Sequence, residues 1–412
     1  MQNLRRFHPR HSVFFFLLCL LSSLFLLFFF FNNQSETGVL KARVLENDWS
    51  KAALERSLTQ QLGLPLVVHP KDNLPTQAKI ELGRKLFFDR RLSINGTTSC
   101  GMCHVPEQGF TSHEIETSVG VEGRIGRRNT PSILNAAFYK HLFVDGRDPT
   151  LETQYISPLI ARNEMANPSA GHVIALLKKL PDYQGLFEKA FDAPPSLDTL
   201  GKAFAVYQRT LIAGNSRFDR WFYGKEKGVL DQSEIRGYEI FAGKGGCVSC
   251  HLIGETYAKF TDDQFHDISY GWWREQQRQN PPKTTRVELA PGVFHDVSED
   301  IIAMVSGKIP ADLGRYEVTE NPKDRWKFRT PTLRNLSITG PYMHDGKFAT
   351  IKDVLKFYNQ GGEPHKEVDP RIKPLGLSTK EMEDLEHFLK SLTSPVIEKI
   401  SKEARSHAPD NY

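Results

Sequence analysis

Two pentapeptides in this 412-residue chain have the residue types and spacing for covalent cofactor chemistry: Cys100-Gly101-Met102-Cys103-His104 and Cys247-Val248-Ser249-Cys250-His251. In a Cys-x-x-Cys-His stretch the two thiols can form thioethers with the two vinyl groups of one porphyrin. The adjacent imidazole then lies beneath the ring, where it can bind the iron. A zinc site and a dithiol redox pair are the competing readings. Zinc asks for four ligands from paired half-sites, and each cysteine pair here brings only one adjacent histidine. Two covalently bound haem c groups are therefore expected, attached at Cys100, Cys103, Cys247 and Cys250, with His104 and His251 as iron ligands.

Of five cysteines, only Cys19 lies outside these motifs, so no disulfide is expected. The formal net charge of +4 includes Arg5, Arg6 and Arg10. Without them the remainder is close to neutral and has no basic block, so no nucleic-acid partner is expected. Residues 13–31 are almost wholly apolar, just long enough to span a bilayer, and no small-x-small cleavage site follows. An uncleaved anchor is the preferred reading and a signal peptide the alternative. The arginines preceding it would stay in the cytoplasm, placing the rest of the chain in the periplasm, tethered to the inner membrane.

Beyond residues 1–34, residues 35–70 read as a tether. A helical stripe of Ile80, Leu82, Leu86 and Phe87 opens a first haem domain at 71–225. Leu200, Phe204, Tyr207 and Leu211 close it at the same spacing. A second haem domain at 226–395 ends on a helix opened by the capping box Ser378-Thr379-Lys380-Glu381, and 396–412 read as a tail. Strand signals are weak, so the fold is expected to be mostly α. An internal repeat relates the two domains. Gly83-Arg84-Lys85-Leu86-Phe87 and Gly237-Tyr238-Glu239-Ile240-Phe241 precede the two motifs, and Thr130-Pro131-Ser132-Ile133-Leu134-Asn135 answers Thr330-Pro331-Thr332-Leu333-Arg334-Asn335. The second copy carries an insertion at about 255–325 that includes Trp272 and Trp273.

With these blocks, Arg128-Asn129-Thr130-Pro131, Asp145-Gly146-Arg147, Leu151-Glu152-Thr153-Gln154, Asn163-Glu164-Met165 and Pro341-Tyr342-Met343-His344-Asp345-Gly346, the chain resembles the bacterial dihaem cytochrome c peroxidases, in their MauG-like branch. The resemblance implies two cytochrome-c-like haem domains in tandem and a hydrogen-peroxide-dependent activity. It assigns Gln154 and Glu164 to the distal side of the first haem, where a carboxylate can relay a proton between the peroxide oxygens and an amide can orient them. Where activated members carry a capping histidine, this chain has Val121, and His113 eight residues earlier reads as a surface residue. Fourteen residues after His344 stands Tyr358, the MauG-like choice of second ligand to the second iron, where a phenolate lowers the potential. A calcium ion is implied between the domains, held by Asn129 and the carbonyls of Thr339 and Pro341. One departure is Val144, where the family usually has a tryptophan between the haems; Tyr342, Trp326 or Trp272 are the candidates to replace it.

The expected function is that of a dihaem peroxidase that stores oxidising power as high-valent iron and oxidises a partner, a protein residue, by long-range electron transfer. One alternative is a periplasmic cytochrome c peroxidase that detoxifies hydrogen peroxide with electrons from a small cytochrome. Another is a non-enzymatic dihaem electron carrier, in which Gln154 and Glu164 would have no purpose.

Overall fold

Two glycines decide how the main helices cross. In the computed structural model, Gly83 lies on helix Gln77–Phe88 and packs against helix Leu197–Gln208; Gly237 lies on Gln232–Ala242 and packs against Thr379–Ser391. A Cβ on Gly83 would stand 2.1 Å from the carbonyl oxygen of Ala203, and one on Gly237 would stand 2.0 Å from that of Asp384. Only a residue without a side chain permits so close an approach. The structure describes residues 49–406 apart from 280–282, 291, 299, 302–303 and 305–309. The apolar stretch 13–31 lies outside the described residues, among which no helix is long and apolar enough to cross a membrane.

The chain divides into two units, Met1–Lys51 and Ala52–Tyr412. In the first, the described residues 49–51 are helical. Everything below concerns the second, which is mostly helical, as the apolar spacing predicts. Its two largest apolar cores among the described residues are separate. Leu82, Leu86, Phe87, Tyr155, Phe204 and Tyr207 belong to the first, and Phe241, Phe260, Leu355, Leu385 and Phe388 to the second.

The repeat extends to backbone detail. Asn135 and Asn335 are both left-handed, at φ 63° and 69°, and so are Gly146 and Gly346, at 69° and 70°. The Asn135 side chain accepts from the backbone N–H of Ala213 at 2.8 Å, and that of Asn335 from Ser394 at 3.0 Å. Two side chains folded in one odd backbone geometry, each tied to the end of its own closing helix, are what one duplicated unit would leave.

Three stretches behave differently from their sequence reading. Residues 52–70 are no loose tether: Leu64 and Val67 are buried against Ile212, and Arg56 pairs with Glu403 at 2.7 Å. The supposed tail contains helix Ile397–Arg405, whose Ile397, Ile400 and Ala404 enter the first core. Phe218, on Arg217–Phe222, packs into the second core although it precedes residue 226. Ile397, Ile400 and Ala404 recur at helical spacing, whereas residues 52–70 and Arg217–Phe222 are buried by the distant segments they meet. The insertion contains helix Tyr270–Gln279 and an antiparallel hairpin, Thr284–Ala290 with Val293–Ser298. A second small sheet pairs Phe265–His266 with Phe328–Arg329.

Candidate functional site

Both Cys-x-x-Cys-His motifs open onto clefts, and each histidine is oriented in the same way. His104 Nδ1 faces the carbonyl of Phe110 at 3.0 Å, and His251 Nδ1 faces that of Phe260 at 2.9 Å. A carbonyl can only accept, so Nδ1 carries the proton and Nε2 keeps the lone pair a metal needs. Burial lowers both histidine pKa values, which favours the neutral ring. Phe110 and Phe260 are fully buried and sit at φ 57° and 54°, a left-handed conformation that a bulky residue rarely adopts. The turn is held in each case by a threonine one residue on: Thr111 Oγ1 donates to the Thr130 carbonyl, and Thr261 Oγ1 to that of Thr330 at 2.6 Å. A Phe-Thr pair follows the motif in both copies, Phe110-Thr111 and Phe260-Thr261, and was the signal available in the sequence.

The cysteines form no disulfide among the described residues. Burial pushes the Cys100 thiol up to about 12 and those of Cys103 and Cys247 to about 11. Thiols so reluctant to ionise do not suit rapid dithiol exchange. Paired thiols beside a neutral imidazole, in an apolar cleft, do suit a porphyrin iron.

The first cleft, of about 70 Å³, brings together Cys100, Cys103, His104, Gln154 and Glu164, walled by Phe87, Tyr155 and Phe204. Gln154 ends helix Leu151–Gln154. Two residues earlier Glu152 points elsewhere, accepting from Arg209 at 2.6 and 3.0 Å and from Asn73 at 3.0 Å, which fixes the rotation of that short helix. Sequence reading saw Glu152 only as part of a motif; its partners are distant in the chain. Glu164 follows a tight turn, with its N–H on the Ala161 carbonyl at 3.0 Å. Burial raises the Glu164 pKa, opposed by the charge of Arg147. The loop that carries Gly120, Gly123 and Gly126 lies directly against this turn. Val121 is buried and donates its N–H to the Glu164 carbonyl at 2.9 Å, and a Cβ on Gly120 would meet the Asn163 carbonyl oxygen at 2.3 Å. His113 is exposed and does not line the cleft.

The second cleft, of about 350 Å³, is lined by Cys247, Cys250, His251 and Tyr358. Tyr358 lies on helix Ile351–Gln360. Burial, and then the neighbouring cysteines, hold its phenol well above the ordinary tyrosine value, so only a strong Lewis acid would ionise it. Asn129, Thr339 and Pro341 line this cleft too, together with Val144. The Asn129 side-chain N–H donates to the Glu116 carbonyl at 2.9 Å, which leaves its oxygen as the group to offer a cation. Of the three aromatic candidates for the position of Val144, Tyr342 lines the second cleft, whereas Trp272 and Trp326 line neither.

Residues 77–227 match the family model described as di-haem cytochrome c peroxidase. The chain is 36% identical over 328 residues to the methylamine utilization protein MauG of Methylorubrum extorquens, covering 79% of this chain and 81% of that one. It is 34% identical over 346 residues to the cytochrome-c peroxidase IdrP1 of Pseudomonas sp. strain SCT, covering 80% and 84%. Among solved structures, a MauG-like protein associated with microbial copper homeostasis superposes with a TM-score of 0.65 at 30% identity, over 82% of this chain and 97% of that one. The diheme peroxidase BthA of Burkholderia thailandensis shares the fold, with a TM-score of 0.62 at 22% identity over 82% and 93%.

Proposed function

The chain belongs to the dihaem cytochrome c peroxidase family, in its MauG-like branch, and as such is a peroxide-dependent oxidoreductase; from that premise we propose that it uses hydrogen peroxide to oxidise a residue of a partner protein by long-range electron transfer. Haem c, when attached at the two motifs, supplies redox-active iron: one to reduce peroxide and one to hold oxidising equivalents. His104 would bind the first iron, His251 and Tyr358 the second.

The division of labour follows from the side chains. In the first cleft Glu164 accepts a proton from the near oxygen of peroxide and returns it to the far oxygen, making water the leaving group. Its raised pKa makes the carboxylate a stronger base, so taking the first proton costs less. Gln154, with both an amide N–H and a carbonyl, orients the peroxide. Val121 has no atom able to bind iron, so peroxide could enter without a prior reductive step. In the second cleft Tyr358 and His251 together exclude substrate. The observation that carries this reading is that Gln154 and Glu164 share one cleft with Cys103 and His104, while Tyr358 shares the other with His251.

The test is the Soret spectrum of the resting ferric holoprotein after one equivalent of peroxide. A change without pre-reduction is the expected outcome; a requirement for prior reduction would overturn the reading. The names of the relatives also favour a second reading, a peroxidase fed by a small cytochrome. Sustained turnover with reduced cytochrome c would establish that alternative. We further propose that Asn129, Thr339 and Pro341 hold a calcium ion, and that the protein works in the periplasm, anchored or exported through residues 13–31.

A further inference from the structure

A continuous run of rings leads from the second cleft to the surface. Tyr358 contacts Phe357 with ring centroids 5.4 Å apart, Phe357 contacts Tyr270 at 5.6 Å, and Tyr270 contacts Trp273 at 5.6 Å. Tyr270 is 1% exposed, whereas Trp273, one turn further along the same helix, is only half-buried. The family assignment does not use either residue; both belong to the insertion.

Tyr270 is chemically distinct from the other tyrosines of this cleft. Its phenol donates to Asp345 Oδ1 at 2.7 Å, while Arg274 Nε holds Oδ2 at 2.6 Å. Oxidising a tyrosine releases a strongly acidic phenol proton, so an adjacent carboxylate makes the step far easier. Tyr342 donates to the Leu336 carbonyl at 2.6 Å, a neutral acceptor. Tyr139 lies 3.7 Å beneath the guanidinium of Arg329, whose charge opposes loss of an electron, and its oxygen accepts from the Thr332 N–H.

We infer that Tyr270 and Trp273 are the exit relay of this protein, carrying oxidising equivalents from the second haem to a partner docked at helix Tyr270–Gln279. The inference rests on the proposed function and names its outlet. An electron leaves Tyr270 toward the haem through the Phe357 ring, and the phenol proton shifts to Asp345, leaving a neutral tyrosyl radical. Trp273 then gives an electron, the proton returns from Asp345, and the hole rests on the indole until the partner refills it. Two such cycles and two protons from solvent balance the reduction of one peroxide to two waters.

The experiment is freeze-quenched electron paramagnetic resonance on ferric holoprotein mixed with one equivalent of peroxide, with the Soret decay followed in parallel. The wild type should show a mixed tyrosyl and tryptophanyl signal. Trp273→Phe should lose the tryptophanyl part and lengthen the tyrosyl lifetime. Tyr270→Phe, with haem content and resting spectrum unchanged, should lose both and slow the decay by about tenfold or more. It should also abolish the solvent deuterium effect on that decay. An unchanged radical and an unchanged decay in Tyr270→Phe overturn the relay and leave the proposed function standing. No Soret change in the wild type overturns both.

Discussion

Asp219 and Arg334 face each other in a two-armed ion pair, with guanidinium nitrogens 2.8 Å from each carboxylate oxygen and both side chains shut off from solvent. Arg334 also donates to the Ala258 carbonyl at 2.8 Å and to that of Gly63 at 2.6 Å. Ala258 stands two residues before Phe260, whose carbonyl orients His251. The pair thus clamps the loop that aims the second iron ligand.

Asp219→Ala should leave a buried cation without its partner and cost about 3–5 kcal/mol. Urea unfolding of the holoprotein measures that loss. Because the loop around Phe260 loses its anchor, haem content at the second motif should fall more than at the first.

Glu164 must be ionised to accept a proton, and burial has raised its pKa above the ordinary carboxylate value. The rate of peroxide consumption should therefore fall as pH drops through that raised value and level off above it. Glu164→Gln should lower the stopped-flow rate by about 10²- to 10⁴-fold and remove this acid limb. An unaltered pH profile in the variant would assign the proton relay to another group.

Replacing Tyr358 by Met exchanges a hard anionic donor for a thioether. The potential of the second haem should rise, as spectroelectrochemical titration would show, and the oxidised state formed with peroxide should become shorter-lived.

If Asn129, Thr339 and Pro341 hold calcium, a chelator should perturb the second haem's spectrum and slow the peroxide reaction, and added Ca²⁺ should restore both. Asn129→Ala should resemble the chelated wild type without responding to Ca²⁺.

Acid should unfold the protein partly through Arg128, which binds Asp145 at 2.5 Å and Asp312 at 2.6 and 2.7 Å. Burial alone would raise both aspartate pKa values; for Asp312 its bonds to Arg128, and for Asp145 the charges of Arg128 and Arg147, outweigh it and hold them below normal. Carboxylates with depressed folded-state values contribute their full stability above the unfolded value of about 3.9, and lose it as pH falls through the lower folded one. Circular dichroism against pH should show this acid loss in the wild type and a flatter dependence in Arg128→Ala, which is less stable at neutral pH.

Features whose cause is local were open to reading from the chain alone. Cys-x-x-Cys-His places two thiols and an imidazole within five residues wherever the chain goes. The Ser378 capping box and the stripe through Leu82 and Leu86 depend only on helical geometry, and the duplicated Gly83 and Gly237 on the register of two copies. The apolar periodicity was enough to give a mostly helical chain. Features made by distant segments were decided only by the tertiary structure. Glu152 is held by Arg209, 57 residues away, and that pairing rotates Gln154 toward the cleft. The helix Ile397–Arg405 carries an apolar stripe in its own sequence, but only the tertiary structure decides that the first core receives it. Tyr270 meets Asp345 across 75 residues, and nothing in either local sequence foretells the contact. Spacing along the backbone is covalent and survives any fold; proximity between such segments exists only once the cores have packed.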